Sequence, residues 1–177
     1  MTTAFVALGS NLAGALQSPH AQLNAALASM DGLAFSRMRR VSSFYSTPPW
    51  GDDGSNAEQL RYVNAVAEIH TDLAADALLR ALQEIELAQG RVRDRNRPNG
   101  PRTLDLDLLL YGRIRLNTIE LNCPHPRMHE RTFVLLPLLE IAPDIDIPGL
   151  GSAKAYLAAL SLEDIYKLEI PDGIYQP

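Results

Sequence analysis

Gly100-Pro101-Arg102-Thr103-Leu104-Asp105-Leu106-Asp107-Leu108-Leu109-Leu110-Tyr111-Gly112 decides how this chain is read. From Thr103 to Tyr111 the pattern is that of one strand, bounded by glycines. Leu104, Leu106, Leu108 and Leu110 point to one face, and Thr103, Asp105, Asp107 and Leu109 to the other. Four leucines in register make a core face. Two aspartates on the opposite face, with Cα atoms roughly 6.5–7 Å apart, run against the low strand preference of Asp. Carboxylates so spaced can share a divalent cation, or hold two Mg²⁺ about 3.5–4 Å apart with one carboxylate bridging.

Immediately upstream, Arg91 to Arg102 carries five of the chain's fourteen arginines. An acidic strand fed by a basic loop suits a ligand that is polyanionic and carries cations, as a metal-bound nucleoside triphosphate does. No Walker A sequence and no protein-kinase motif set is present, so phosphate chemistry here needs another arrangement.

Further out, the strand's neighbours give the architecture. Thr3 to Leu8 reads as a short buried strand, followed by the turn Gly9-Ser10-Asn11. Ser18-Pro19 starts a helix with the stripe Leu23, Leu27 and Met30, stopped at Asp31-Gly32. A long strand is expected from about Leu33 to Ser46, then a loop rich in Pro and Gly. Tyr62 to His70 alternates, with Val63, Ala65, Ala67 and Ile69 on one side and Tyr62, Asn64, Val66 and Glu68 on the other. Asp72 is expected to cap a helix running to about Gln89, with Leu78, Leu82 and Ile85 inward and Gly90 as C-cap. After Gly112 come one or two short strands. A helix over about Glu130 to Ile141 is next, with Phe133, Leu136 and Leu139 inward, then a turn region, a last short helix from Ala153, and a surface tail from Asp164. The order β-α-β-β-α-β is ferredoxin-like. It predicts an α+β fold: four antiparallel strands, two helices on one face, and the C-terminal helices on the other, a three-layer α-β-α sandwich.

Composition sets bounds. The 177 residues fit one domain over 1–177; 46% are apolar and 21% charged, ordinary for a globular chain. A net charge of −5 argues against a broad nucleic-acid face. One cysteine, Cys123, permits no internal disulfide and suits a reducing cytoplasm. No apolar run reaches membrane-spanning length.

These motifs together resemble one family. Leu8-Gly9-Ser10-Asn11, Ser42-Ser43-Phe44-Tyr45 with Thr47-Pro48-Pro49, Tyr62-Val63-Asn64-Ala65, Glu86 to Arg93, Gly100 to Tyr111, and Pro124-His125 with Arg131 occur in the order found in 6-hydroxymethyl-7,8-dihydropterin pyrophosphokinases. The resemblance runs from Ala7 to about Asp144. It implies a ferredoxin-like sandwich, and transfer of pyrophosphate from ATP to the pterin's hydroxymethyl oxygen in folate biosynthesis, with AMP leaving. It implies that Asp105 and Asp107 hold two Mg²⁺ on the triphosphate of the co-substrate ATP, and that Arg91 and Arg102 act with them in catalysis. Gln83, Glu86, Arg93, Leu108, His125 and Arg131 match positions that contact ATP or close over it. Gly9, Thr47, Pro48, Trp50, Tyr62, Asn64 and Phe133 match the pterin pocket, with Tyr62 and Phe133 sandwiching the ring and Asn64 reading its edge. A monomer is expected, with these small molecules as partners and neither nucleic acid nor membrane. Nucleotide is expected to bind first, drawing in two mobile loops, about 47–61 and 91–101. The chain departs from the pattern at Asn99, where some members carry Trp, at Pro126, where an aromatic residue is sometimes found, and at Trp50, where others are aliphatic. Two other readings compete: a metal-dependent nucleotide-sugar transferase, which would form no AMP, and an RNA-binding module, which would need a basic, aromatic sheet face.

Overall fold

In the computed structural model, which describes residues 1–49, 60–91 and 101–169, the alternation of leucine and aspartate becomes a strand at the edge of a mixed-length antiparallel sheet. The chain runs β1 (Thr2–Ser10), α1 (Pro19–Asp31), β2 (Ser36–Val41), β3 (Tyr45–Thr47), β4 (Tyr62–Thr71), α2 (Ala75–Ala88) and β5 (Asp105–Tyr111). It continues through the two-residue strands β6 (Leu116–Asn117) and β7 (Asn122–Cys123), then α3 (Thr132–Ile141), the pair β8 (Asp146–Ile147) and β9 (Gly151–Ser152), α4 (Ala153–Ala158) and β10 (Tyr166–Lys167). The sheet order is β10-β3-β4-β1-β5, with β2 also paired to β4. Every pairing is antiparallel. Taking β2 and β3 as one interrupted strand, this is the expected ferredoxin-like order.

Helices α1 and α2 cover one face. Leu23, Leu27 and Met30 from α1 and Leu78, Leu82 and Ile85 from α2 meet Val6, Leu8, Val63, Ala65, Ile69, Leu104, Leu106 and Leu108 of the sheet. Full burial of each leucine contributes about 1.5–3 kcal/mol. Ser18 caps α1 through its hydroxyl, which accepts from Ala21 N–H at 3.1 Å, and Pro19 takes the first turn. The opposite face, with Val66, Leu109 and Leu110, is covered by Val134, Leu135, Leu138 and Ile141 of α3 and Ala153 of α4.

The structure corrects several expectations. The strand expected from Leu33 to Ser46 is broken: Ser42 turns its hydroxyl to Val66 N–H at 2.9 Å, separating β2 from β3. Leu110 lies on the face opposite Leu104, Leu106 and Leu108. A register shift in the β1–β5 pairing, between Phe5 and Val6, inserts one extra residue in β5 and reverses the alternation. Asp72 does not cap α2. Its carboxylate pairs with the amino terminus of Met1 at 2.9 Å, and the cap position falls to Ala74. The inward stripe of α3 is Val134, Leu135, Leu138 and Ile141; Phe133, Leu136 and Leu139 are only half-buried, rotated toward the helix flank. The tail is not merely laid on the surface: Tyr166 and Lys167 extend the sheet as β10.

Candidate active site

The sheet opens a cleft between β1, the ends of β3 and β4, the start of β5, and the N-terminus of α3. Its inner part is formed by Ala7, Leu8 and Gly9 of β1, Thr47 and Pro48, Tyr62 and Asn64 of β4, and Phe133 and Val134 of α3. Its mouth is formed by Arg102, Asp105, Asp107 and Arg131.

Gly9 sits opposite both Asn64 and Asp105 in register. A Cβ there would stand 3.1 Å from Asn64 Oδ1, so a side chain would crowd the amide. Asn64 is buried, and its Nδ2 donates to Thr47 Oγ1 at 2.8 Å. That bond fixes the amide with Oδ1 over Gly9. Burial pushes the Tyr62 phenol's pKa up, more than the nearby guanidinium of Arg102 draws it down, so the ring stays neutral.

At the mouth, the period of the strand puts Asp105 and Asp107 on the same side, both half-buried. Arg102 Nη1 holds Asp105 Oδ2 at 2.7 Å, and Arg91 Nη2 holds Asp105 Oδ1 at 2.8 Å. Arg91 also pairs with Glu86. Arg131 Nη1 lies 3.5 Å from Asp107 Oδ2, with its guanidinium 5.7 Å from the centre of the Phe133 ring. Burial, and then the charge of Asp105, push the Asp107 carboxyl up to about 6 despite Arg131. His125 Nε2 is 3.8 Å from Asp107 Oδ2, and its Nδ1 accepts from Arg127 N–H at 3.3 Å, which leaves the proton on Nε2. Burial, reinforced by Arg131, lowers the His125 pKa to about 4, so the ring is neutral near pH 7.

Of the residues assigned from the sequence, Gly9, Thr47, Pro48, Tyr62, Asn64, Phe133, Arg102, Asp105, Asp107 and Arg131 all line this one cavity. Arg91 and His125 border it through their contacts with the aspartates. Gln83 is half-buried on α2, one turn before Glu86, and is not among the lining residues. Glu86 is buried at 2% exposure, and its carboxylate accepts from Leu106 N–H at 2.7 Å. Leu108 has its side chain in the helix-side core, leaving only its backbone to meet a ligand. Trp50 and Arg93 lie outside the described residues, as do most of the two loops expected to move. Sequence reasoning assigned no role to Asn11, yet this fully buried residue organises the mouth. Its Oδ1 accepts from Arg102 N–H at 2.9 Å and its Nδ2 donates to Leu60 O at 3.2 Å. Asn directly after Gly-Ser at the end of a buried strand was the available signal.

A neutral aromatic slot with a fixed amide, entered past paired carboxylates and arginines, defines an α+β enzyme of phosphate transfer. The 7,8-dihydro-6-hydroxymethylpterin-pyrophosphokinase family model matches residues 5–143, and the chain belongs to that family. It is 46% identical over 164 residues to the 2-amino-4-hydroxy-6-hydroxymethyldihydropteridine pyrophosphokinase of Pseudomonas aeruginosa, covering 93% of this chain and 95% of that one. It is 47% identical over 149 residues to the enzyme of the same name from Haemophilus influenzae, covering 84% and 87%. Among solved structures it is similar to the Plasmodium falciparum HPPK-DHPS with pteroate, with a TM-score of 0.68 at 12% identity. That match takes in 89% of this chain and 42% of the other, and speaks to the fold alone.

Proposed function

We propose that the slot takes the pterin and that its mouth takes the triphosphate of ATP. As a member of this family the chain is a pyrophosphokinase of folate biosynthesis, with ATP as co-substrate. In the reaction the hydroxymethyl oxygen of 6-hydroxymethyl-7,8-dihydropterin forms a bond to the β-phosphorus. The bond from that phosphorus to the bridging α–β oxygen breaks, AMP leaves, and the hydroxyl proton is released.

What carries the assignment of roles is the convergence of Asp105, Asp107, Arg102 and Arg131 on the rim of a cavity whose interior is aromatic and amide-lined. Tyr62 and Phe133 hold the flat ring between them, and Asn64 Oδ1, fixed by Thr47, accepts from its edge. Pro48 and Gly9 complete the slot, with Trp50 assigned beside them from the sequence. The donor set suits two Mg²⁺. Carboxylate oxygens are hard ligands, and no group of three ligating side chains gathers among the described residues, so phosphate oxygens and water would complete each shell around Asp105 and Asp107. When bound, such ions supply charge neutralisation and polarise the attacking and leaving oxygens.

The arginines then exchange partners. In this structure Arg91 and Arg102 neutralise Asp105, and Arg131 faces Asp107. With cations held by Asp105 and Asp107, the guanidiniums would be free to reach the phosphates, where Arg91 and Arg102 would stabilise the charge that develops at transfer. His125, Glu86, Gln83, Arg93 and Leu108 are assigned to the nucleotide side. A single domain over 1–177, acting as a monomer in the cytoplasm, is the accompanying reading. The single-domain reading is supported by one sheet that β1 to β5 and β10 share. No helix among the described residues is long and apolar enough to cross a membrane.

The test is direct. The chain incubated with Mg-ATP and 6-hydroxymethyl-7,8-dihydropterin should release AMP only when both substrates are present. Asp105→Asn and Asp107→Asn should each abolish that release; near-normal Mg-dependent turnover in both variants would remove the metal assignment.

A further inference from the structure

The match to the family ends at residue 143 and gives no role to the C-terminal part of the chain. Yet residues 161–168 bond at or beside three of the elements that wall the slot, α3, β4 and β3. Ser161 O accepts from Thr132 Oγ1 at 3.0 Å, one residue before Phe133 on α3. Asp164 O accepts from Arg61 Nη2 at 2.5 Å, one residue before Tyr62 on β4. The same Arg61 guanidinium donates to Ser46 Oγ at 2.8 Å and Ser46 O at 3.1 Å, one residue before Thr47 on β3, and lies 5.2 Å from the centre of the Tyr166 ring. Tyr166 and Lys167 pair with Ser46 and Tyr45, and Leu168 N–H donates to Phe44 O at 2.8 Å. Lys167 Nζ reaches Glu140 on α3 at 3.0 Å.

This segment is a poor candidate for general stability. Leu162 and Tyr166 are more than half exposed, and only Leu168 packs against the helix-side core. Asp164 is held at φ +60°, a left-handed conformation that a non-glycine residue adopts at some cost. Most of its contacts are polar, and three of them fall on Ser46, Arg61 and Thr132, the residues directly before Thr47, Tyr62 and Phe133. Such contacts do little for the global free energy but fix relative positions, and ring binding between two aromatic walls depends on those positions to fractions of an ångström.

We propose that residues 161–168 form a strap that sets the width of the pterin slot, with Arg61 as the positioning residue that joins it to both β3 and β4. The inference rests on the slot being the pterin site. Its test is calorimetric titration of 6-hydroxymethyl-7,8-dihydropterin into the Arg61→Ala, Leu168→Pro and Leu168→Met variants saturated with a non-hydrolysable ATP analogue and Mg²⁺, and separately of that analogue with Mg²⁺ into the same variants. The first two variants should weaken pterin binding about tenfold, the loss expected from one or two hydrogen bonds, while nucleotide affinity stays within about twofold. Leu168→Met keeps the N–H and the packing and should bind pterin as the parent does. Equal weakening of both ligands, or unchanged pterin affinity in the first two variants, would overturn the strap. Where Leu168→Pro does not fold, Arg61→Ala, an exposed position, carries the test. Asn64→Ala separates the two readings: if it leaves pterin affinity intact, the slot assignment itself fails, whereas weakened binding there beside unaffected strap variants removes the strap alone.

Discussion

Glu86 on α2 accepts from Leu106 N–H at 2.7 Å, and so fastens the helix to the strand between its two aspartates. The same buried carboxylate pairs with Arg91, which in turn holds Asp105. One acidic side chain therefore sets both the start of β5 and the resting place of Arg91, the arginine proposed to act at transfer. Glu86→Ala leaves the Leu106 N–H buried without its acceptor, and should cost about 1–3 kcal/mol in urea unfolding. Glu86→Gln keeps that acceptor oxygen and should fold nearly as well, yet lower turnover because Arg91 loses the negative charge of its second partner. Loss of stability in Glu86→Gln equal to that in Glu86→Ala would show that the charge, not the hydrogen bond, holds β5.

Asp107 is expected to separate stability from activity. Burial and the charge of Asp105 disfavour its ionised form, so its folded pKa of about 6 lies above its ordinary 3.8. Near pH 7 the ionised carboxylate therefore works against the fold, and Asp107→Asn removes that penalty. The variant should melt at or above the parent's temperature while losing turnover by orders of magnitude. A large drop in melting temperature would show that the carboxylate is structural.

Arg91 and Arg102 both rest on Asp105 before substrate arrives. If they move to the phosphates at transfer, Arg91→Ala or Arg102→Ala should lower kcat far more than it raises the Kd of Mg-ATP. By comparison with an oxyanion-hole donor, one such contact is worth about 3–4 kcal/mol, or a few hundredfold in kcat. Single-turnover kinetics beside nucleotide titration distinguishes this from simple anchoring, in which the whole loss would appear in binding.

Glu140 predicts the acid limb of stability. Burial pushes its pKa up, but bonds from Ser43, Lys167 and Tyr45 outweigh that and hold it below the ordinary 4.5. A depressed folded pKa contributes stability that is present above pH 4.5 and is lost as pH falls through the folded value. Glu140→Gln should therefore flatten the decline in melting temperature below pH 4.5, with the amide oxygen still accepting from Ser43 N–H and the Tyr45 hydroxyl. An acid limb identical to the parent's would assign the decline to other carboxylates.

Much of this protein was legible from local rules. The pleat makes every second side chain of Leu104 to Leu108 share a face, so the separation of leucine core from aspartate pair needed no tertiary information. Ser18-Pro19 carried its own cap chemistry, and the sequential order of strands and helices limited the sheet to the topology observed. Asp105 and Asp107 shared a side by the strand period alone, and the other residues that line the cavity were legible through the motifs of the family resemblance.

What only the tertiary structure decided was non-local. The shift that sends Leu110 across the sheet arises in the pairing of β5 with Phe5 and Val6, about a hundred residues away, and no property of the leucine run marks it. The inward face of α3 depends on how the helix seats against Val66, Leu109 and Leu110, because a helix nearly all apolar presents no polar side to orient it. Glu86 became a fastening because its carboxylate met a strand N–H twenty residues on, and the tail became a strand because β3 left an edge free to be paired. Periodicity specifies a face; only the assembled sheet specifies what that face meets.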